Sequence, residues 1–138
     1  QDRVHFLEPD AMSELVTSLV GADLGLVLYA ATNENNTLAS PNKLFEYIMA
    51  GVPCIASELP VLQEIIERHG VGTTFRSEDE RALAEAIIAC LEPEAHARLR
   101  ASCFAARDIL NWETEATKLL DAYTRLVDSP LRGAPARV

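Results

Sequence analysis

Short apolar runs alternate with amphipathic stretches along most of the chain, and this alternation constrains the fold more than any other feature. The runs are predicted to be strands at residues 4–7, 24–29, 53–57 and 70–75. Strands that alternate with helices require right-handed crossovers, which produce a parallel sheet covered by helices on both faces. The sequence therefore predicts an α/β fold in three layers, α/β/α, with a parallel sheet of about four strands.

The helix boundaries follow from Pro, Gly and capping signals. Helices are predicted over residues 12–19, 41–51, 62–68, 77–91, 93–110 and 112–127, with residues 30–40 as a long Asn-rich loop. Pro41 opens one helix and Gly51 ends it, and Ser77 with Glu80 fits a capping box. The last helix carries an apolar stripe around Trp112, which is predicted to be core.

Composition limits the classes of function. The length of 138 residues suits one domain, and the net charge of -9 argues against a nucleic-acid partner. The three cysteines are odd in number and form no C-x-x-C pair, so we expect neither disulfides nor a zinc site, but small apolar packing in a reducing compartment. Neither a signal peptide nor a membrane span is visible, which predicts a soluble, cytoplasmic protein.

The helix that begins at Pro41 carries the pattern most indicative of a binding site. Ligands of parallel sheets bind beyond the carboxyl ends of the strands, close to helix N-termini, and here that means the loop after Tyr29 and this helix. On a helical wheel, one side is apolar and is predicted to be core: Leu44, Phe45, Ile48 and Met49. The other side carries Lys43, Glu46, Tyr47 and Ala50.

Lys43 and Glu46 are consistent with a diphosphate site. The free N–H groups and the dipole at a helix start attract anions, and a lysine in the first turn adds a charge for phosphate oxygens. Glu46, one turn later, is placed to accept hydrogen bonds from ribose hydroxyls. The competing interpretation is an exposed ion pair between the two, contributing roughly 0.3 kcal/mol. Spacing alone favours the ion pair, whereas the position after a buried strand favours the ligand.

The sequence of this helix resembles the donor-site signature of retaining GT-B glycosyltransferases with an E-x7-E motif, the glycosyl transferases group 1. The resemblance is carried by Pro41-Asn42-Lys43-Leu44-Phe45-Glu46-Tyr47, Ala50-Gly51-Val52-Pro53 and Ala56-Ser57. It extends over residues 4–127 and implies a Rossmann-like, incomplete C-terminal half of a GT-B fold. Residues 1–127 would form a partial nucleotide-sugar-binding domain, and residues 128–138 a loose tail.

The resemblance also implies roles for individual residues. Glu46 matches the motif glutamate that binds the nucleotide ribose, and Lys43 matches the basic residue that meets the donor diphosphate. The rate enhancement would rest on stabilising the leaving diphosphate, which Lys43 and the helix start could do without a bound metal. Lys43 and, at the ribose, Glu46 are the expected catalytic residues. Asn42 and Leu44 would offer backbone N–H groups to the same phosphates.

One position departs from the family pattern. The first motif glutamate should lie eight residues before Glu46, where this chain has Leu38. Glu34, Asn35 or Asn36 on the same loop are candidates to replace it at the donor sugar. Tyr29 is a candidate contact to the base or sugar, with packing as the alternative.

The expected function is sugar transfer from a UDP- or GDP-sugar to a glycan or glycolipid acceptor, with neither a cofactor nor a metal. Catalysis in this fold takes place between two domains, and the N-terminal acceptor-binding domain is missing, so the isolated chain is expected to be inactive. Peripheral attachment of the parent enzyme to the inner face of a membrane is a further expectation. The resemblance also implies that the last helix crosses back to the missing domain, so part of it is expected to be unsatisfied here and to mediate a homodimer.

Three other functions compete with this hypothesis. A nucleotide-sugar 2-epimerase shares the architecture, but its acidic and histidine catalytic residues have no counterpart that the sequence identifies. A non-catalytic nucleotide-binding or interaction module would bind without transfer. A flavodoxin-like signalling or cofactor domain would need an acidic cluster or a glycine fingerprint, which the sequence lacks.

Overall fold

The structure is a computed structural model that describes residues 3–9 and 11–128. These residues form the following elements: α1 Leu15–Leu19, β1 Gly25–Val27, α2 Glu34–Thr37, α3 Asn42–Ala50, β2 Cys54–Ser57, α4 Pro60–His69, β3 Gly72–Phe75, α5 Glu80–Leu91, α6 Pro93–Arg107 and α7 Trp112–Asp128. Apart from Asp128, which ends α7, the predicted loose tail lies outside the described residues.

The three strands form one parallel sheet in the order β1-β2-β3. Cys54 of β2 lies between Gly25 of β1 and Gly72 of β3 in the register. Successive parallel strands require a crossover, and α3 and α4 provide the two crossovers here. The carboxyl ends of all three strands therefore meet at one edge of the sheet, as the alternating sequence predicts.

Helices pack on both faces of this sheet, which confirms the predicted layers. The larger core lies between the sheet and α3, α4 and α6, and consists of Val27, Leu44, Ile48, Cys54, Ala56, Leu59, Leu62, Ile66, Val71, Cys103 and Ala106. On the other face, Ile55, Phe75 and Cys90 pack together with half-buried side chains of α5. The chain is thus a mixed α/β protein with a three-stranded parallel sheet.

The prediction of a strand at residues 4–7 is wrong, so the described residues contain three strands and not about four. Phe6 is 96% exposed and Leu7 88% exposed. A strand needs a neighbour to satisfy its backbone N–H and C=O groups and a surface on which to bury one face. An apolar run by itself supplies neither.

Strand β1 also differs from its prediction as a strand buried on both faces. It is shorter, Gly25–Val27, and its Leu26 is 36% exposed while the following Leu28 is 46% exposed. Helix α3 covers the face that carries Val27, whereas α5 contacts β2 and β3 on the opposite face. Leu26 therefore stays partly exposed, because the main contacts of α5 are with β3 and β2.

Two local predictions are corrected by side-chain caps. A short helix, α2, interrupts the predicted loop because the Asn33 side chain accepts a hydrogen bond from the Asn36 N–H at 2.9 Å. Helix α5 is capped by Asp79 and not by Ser77, since Asp79 Oδ1 accepts from the Ala82 N–H at 2.9 Å. The boundaries of α3 agree with prediction: Pro41 precedes it and Gly51, with φ 72°, ends it.

Acid is expected to weaken the fold through the α5 cap. The Ala82 N–H, and then Arg76, hold the pKa of Asp79 below its usual range. The folded state therefore binds fewer protons at this carboxyl group than the unfolded state does. The stabilisation is present above about pH 4 and lost as the pH falls through the folded pKa.

Urea unfolding at pH 6 and pH 3 measures the effect. In Asp79→Asn, which keeps a capping oxygen without the charge, the loss of stability on acidification should be smaller, while Asp121→Asn should behave like the unmodified chain. An equal loss in all three would contradict the assignment.

The apolar stripe around Trp112 on α7 was predicted to be core, and this prediction is wrong. Trp112 is 71% exposed, Leu120 67% and Tyr123 61%, and α7 contains no buried residue. Helical periodicity shows which side of a helix is apolar, but burial also requires another element to pack against that side. Within residues 3–9 and 11–128, no element covers this side of α7.

The cysteines pack as predicted. Cys54, Cys90 and Cys103 are all free and buried. Burial raises the pKa of each thiol, that of Cys103 to about 11, so the unreactive protonated form dominates at neutral pH. A search of the described helices finds none with the length and apolar character of a membrane span.

Candidate functional site

Two serines at the carboxyl edge of the sheet form hydrogen bonds with the backbone of Tyr29. The Tyr29 N–H donates to Ser57 Oγ at 2.9 Å, and Ser77 Oγ donates to the Tyr29 carbonyl at 3.1 Å. Ser57 is 2% exposed, so leaving its hydroxyl or the Tyr29 N–H without a partner would cost about 1–3 kcal/mol. The segment after β1, the end of β2 and the segment after β3 are thereby fixed against one another.

A cavity of about 280 Å³ opens at this edge. Its wall combines apolar and acidic side chains with the two serines: Leu28, Tyr29, Ala30, Ser57, Phe75, Ser77, Glu78, Asp79, Glu80 and Leu83. Glu78 has φ 65°, a left-handed conformation that costs a non-glycine residue on the order of 1 kcal/mol. The β3–α5 turn is therefore held in a tight geometry beside the cavity.

Helix α3 begins close to the same edge, and no capping or acidic side chain in its first turn offsets the positive end of its dipole. Its N-cap is Pro41, no side chain caps it, and no acidic residue lies in its first turn. By contrast, α5 begins with the Asp79 cap and Glu80. The Leu44 N–H, expected to face the phosphates, donates to the Pro41 carbonyl at 3.1 Å because it already belongs to the first turn. This leaves the Asn42 and Lys43 amides as the first-turn donors nearest the helix start.

Lys43 is directed towards the strand ends. Its Nζ lies 5.2 Å from the centroid of the Tyr29 ring, and its side chain is half-buried. A cation–π contact of this kind contributes about 0.5–1 kcal/mol, which offsets the unfavourable interaction of a cation with the helix dipole. Lys43 itself does not line the cavity, whereas Tyr29 does, so the ring of Tyr29 connects the two.

Glu46 lies one turn further along α3 and is half-buried. In the described part of the chain, no ion pair joins it to Lys43, so the competing interpretation of these two residues as a surface ion pair is not supported. It contributes no side chain to the cavity wall.

The helical wheel predicted the buried residues at the centre of the apolar side of α3 correctly, but not those at the edges of that side. Leu44 and Ile48 are fully buried, as predicted, but Met49 is 36% exposed and Ala50, expected on the open side, is 4% exposed. Tyr47 was also expected on the open side, yet it packs against the larger core. The reason is Gly25: a Cβ there would lie 2.4 Å from the Tyr47 ring, so the absence of a side chain on β1 makes room for the ring.

Phe45 and Met49, predicted to be core, instead line a groove of about 680 Å³ between α3, α4 and the α6–α7 junction. Its remaining lining residues are Asn42, Ile65, Leu110, Asn111, Trp112, Glu113 and Glu115. The wheel gave the apolar side of α3 correctly but did not show how much of that side the neighbouring helices cover.

The candidate site residues on the Asn-rich loop differ in their contacts and exposure. Asn36 Nδ2 donates to Thr32 Oγ1 at 3.0 Å and to the Ala30 carbonyl at 3.4 Å, so its amide holds the loop. Asn35 is exposed, and Leu38, at the position expected for the first motif glutamate, is 56% exposed. None of the three lines the cavity at the strand ends.

Among the predicted site residues, the structure brings Tyr29 and Lys43 together, and of these two only Tyr29 lines the cavity. Glu46, Asn35 and Asn36 are not among its lining residues. Sequence analysis did not find the contact of Ser77 with Tyr29, because the two residues lie 48 positions apart and no local pattern marks the pair. Within residues 3–9 and 11–128, no three His, Cys, Asp or Glu side chains converge on a point that a metal ion could occupy.

Comparison with known proteins identifies one family that this chain matches. A family model described as glycosyl transferases group 1 matches residues 1–93, a range that includes all three strands and helix α3. A comparison with curated proteins gave no match.

Proposed function

The chain belongs to the glycosyl transferases group 1 family, and from this membership we propose that it is the donor-binding half of a retaining GT-B enzyme. The donor is a nucleotide diphosphate sugar with UDP or GDP, and the acceptor, a glycan or glycolipid, binds to a separate N-terminal domain. The parent enzyme acts in the cytoplasm, and at the inner face of a membrane when the acceptor is a glycolipid.

One observation supports the donor assignment most directly: the Lys43 ammonium lies over the Tyr29 ring at the uncapped start of α3. The first-turn N–H groups of α3 and the positive end of its dipole add to the charge of Lys43. This concentration of positive charge lies at the carboxyl edge of the sheet, where α/β folds bind ligands. A diphosphate is the part of the donor whose charge and oxygen atoms match it.

In this proposal the chain accelerates transfer by stabilising the departing diphosphate. As the bond between the sugar and the diphosphate breaks, negative charge grows on the leaving oxygen, and Lys43 with the Asn42 amide offsets it. Glu46 accepts hydrogen bonds from the ribose hydroxyls and so fixes the nucleotide along α3. Transfer also requires the acceptor to be held opposite, so the isolated chain is expected to bind the nucleotide without turnover.

Calorimetric titration with UDP and GDP tests the proposal. We expect one of the two to bind with a Kd on the order of 100 µM, equivalent to about 5.5 kcal/mol, because the chain supplies only part of the cleft. Uridine or guanosine should bind at least about tenfold more weakly, since each lacks the diphosphate. If neither diphosphate binds, the donor assignment is wrong. Steady sugar transfer by the isolated chain would contradict the half-enzyme assignment.

The role of Glu46 predicts a specific loss in Glu46→Gln. The variant should bind the preferred nucleotide about tenfold more weakly, because hydrogen bonds to a charged group contribute about 1.5–3 kcal/mol. It should bind the 2′,3′-dideoxy form of that nucleotide as the unmodified chain does, because this ligand lacks both hydroxyls. Glu94→Gln, which makes the same change on an exposed part of α6, is the matched control. A similar loss for both ligands would show that Glu46 does not contact the ribose.

A further inference from the structure

Lys43 and Glu46 are three residues apart on α3, a spacing at which opposite charges can form an ion pair. Glu115 and Lys118 form such a pair at the same spacing on α7. Within residues 3–9 and 11–128, however, neither Lys43 nor Glu46 takes part in an ion pair. Both side chains are half-buried, where opposite charges attract each other more strongly than on an exposed surface. Their separation therefore needs a physical cause.

The ring of Tyr29 supplies a competing partner for Lys43. The Lys43 Nζ lies 5.2 Å from the centroid of this ring, which is half-buried and packs against the larger core. A cation–π contact contributes about twice as much as an exposed ion pair at helical spacing. An ion pair with Glu46 would draw the ammonium towards a residue about 4.5 Å further along the axis of α3. The ring thus keeps the ammonium at the helix start.

The ring holds the ammonium without cancelling its charge. A carboxylate partner would neutralise Lys43, whereas an aromatic ring attracts a cation through its quadrupole and carries no net charge. The positive charge at the uncapped start of α3 therefore remains available to an anion.

Two hydrogen bonds fix the residue that carries this ring. Ser57, at the end of β2, accepts from the Tyr29 N–H at 2.9 Å. Ser77, after β3, donates to the Tyr29 carbonyl at 3.1 Å. The two bonds lie on either side of the Tyr29 Cα, so they fix the orientation of its backbone and with it the direction in which the side chain leaves the chain.

We propose that Tyr29 is a positioning residue of the donor site, whose ring, oriented by Ser57 and Ser77, prevents Lys43 from pairing with Glu46. The inference rests on the proposed function, in which the ammonium meets the diphosphate and the carboxylate meets the ribose. A pair between them would occupy both groups. The nucleotide would then have to break that pair in order to bind, and its affinity would fall accordingly.

Proton NMR of the whole chain without nucleotide tests the contact itself. The ε-methylene protons of Lys43 lie near the face of the Tyr29 ring, so they should resonate upfield of those of an unstructured lysine. The upfield shift should persist in Tyr29→Phe, which keeps a ring, and disappear in Tyr29→Leu. In Tyr29→Leu, a nuclear Overhauser contact between Lys43 and the γ protons of Glu46 should appear. Unshifted Lys43 protons in the unmodified chain would overturn the inference.

The same spectra test the hydroxyl that orients the ring. Ser77→Ala should reduce the upfield shift of the Lys43 protons, whereas Ser77→Thr, which keeps a hydroxyl, should preserve it. Ser18→Ala is the matched control, because it removes an exposed hydroxyl that bonds only within its own helical turn. An equal shift in Ser77→Ala and Ser77→Thr would contradict the role of Ser77.

A double-mutant cycle measures what the ring contributes to nucleotide binding. The ligand is the 2′,3′-dideoxy form of whichever diphosphate binds, UDP or GDP, because this ligand does not use Glu46. Tyr29→Leu should bind it about fivefold more weakly, since Lys43 then pairs with Glu46. Tyr29→Leu/Glu46→Gln should recover the affinity to within about twofold of the unmodified chain, because glutamine cannot form that ion pair. Tyr123→Leu, which removes an exposed ring from α7, should bind normally.

The outcomes separate this inference from the proposed function. If the double variant binds as weakly as Tyr29→Leu, then Tyr29 acts by another route, through the ligand or through the fold, and the inference is wrong. A chain that shows the upfield shift but binds neither UDP nor GDP would confirm the contact of Lys43 with the Tyr29 ring and contradict the proposed function. Circular dichroism checks that each variant is folded, and Tyr29→Phe should match the unmodified chain in both experiments.

Discussion

Gly72→Ala is expected to prevent the chain from folding, or to lower its free energy of unfolding by about 3 kcal/mol or more. A Cβ at this position would lie 1.8 Å from the Cys54 carbonyl oxygen and 2.7 Å from its carbonyl carbon. These atoms belong to the backbone of β2, the central strand, so they cannot move aside as the end of a side chain would. The two strands would have to separate where their ladder begins.

Gly21→Ala is the matched control, because a Cβ there would meet nothing within 4 Å. It should leave the stability unchanged or raise it slightly, since alanine restricts the unfolded chain more than glycine does. Urea unfolding followed by circular dichroism measures both variants. A domain of this size has a free energy of unfolding of about 5–15 kcal/mol in total, so the loss expected in Gly72→Ala is large enough to measure. If Gly72→Ala unfolds at the same urea concentration as Gly21→Ala, the close contact between β2 and β3 is not as described.

Lys43→Ala is expected to weaken binding of the preferred nucleotide diphosphate by about 10- to 100-fold, as measured by calorimetric titration. The variant removes the charge that the proposed function assigns to the phosphate oxygens, and charge-assisted hydrogen bonds contribute about 1.5–3 kcal/mol. The fold should persist, because Lys43 lies on the half-buried side of α3 while Leu44 and Ile48 anchor the helix in the core.

Two controls distinguish a phosphate contact from a general charge effect. Lys118→Ala removes the same charge from exposed α7 and should leave the affinity nearly unchanged. The affinity of the unmodified chain should fall as salt rises from 50 to 500 mM, and that of Lys43→Ala should fall less, because screening acts on the charge that the variant lacks. Equal losses in Lys43→Ala and Lys118→Ala would mean that Lys43 does not meet the diphosphate.

The sequence predicted the parts of the site that depend on neighbours along the chain. Pro41 and Gly51 gave the boundaries of α3 correctly, since a proline at a helix start and a left-handed glycine at its end act locally. The residues around Lys43 also gave the family, which the match over residues 1–93 confirms. The roles assigned to Lys43 and Glu46 remain predictions.

Other parts of the site could not be predicted, because they depend on residues that are far apart in sequence. Ser77 holds the Tyr29 backbone from 48 positions away. Tyr47 turns towards the sheet because Gly25, on another element, leaves space for its ring. A helical wheel contains no information on either contact, since it describes one element in isolation.

The sequence by itself therefore determined the alternation of the three strands with the helices from α3 onwards, the ends of α3 and the buried centre of its apolar side at Leu44 and Ile48, because propensity and periodicity act over a few residues. Only the tertiary structure decided whether each apolar side found a partner. Residues 4–7 and the apolar side of α7 around Trp112 were predicted from their apolar residues as a strand and as core, yet they lie in solvent. Burial requires a second surface, and a pattern within one segment cannot show that such a surface exists.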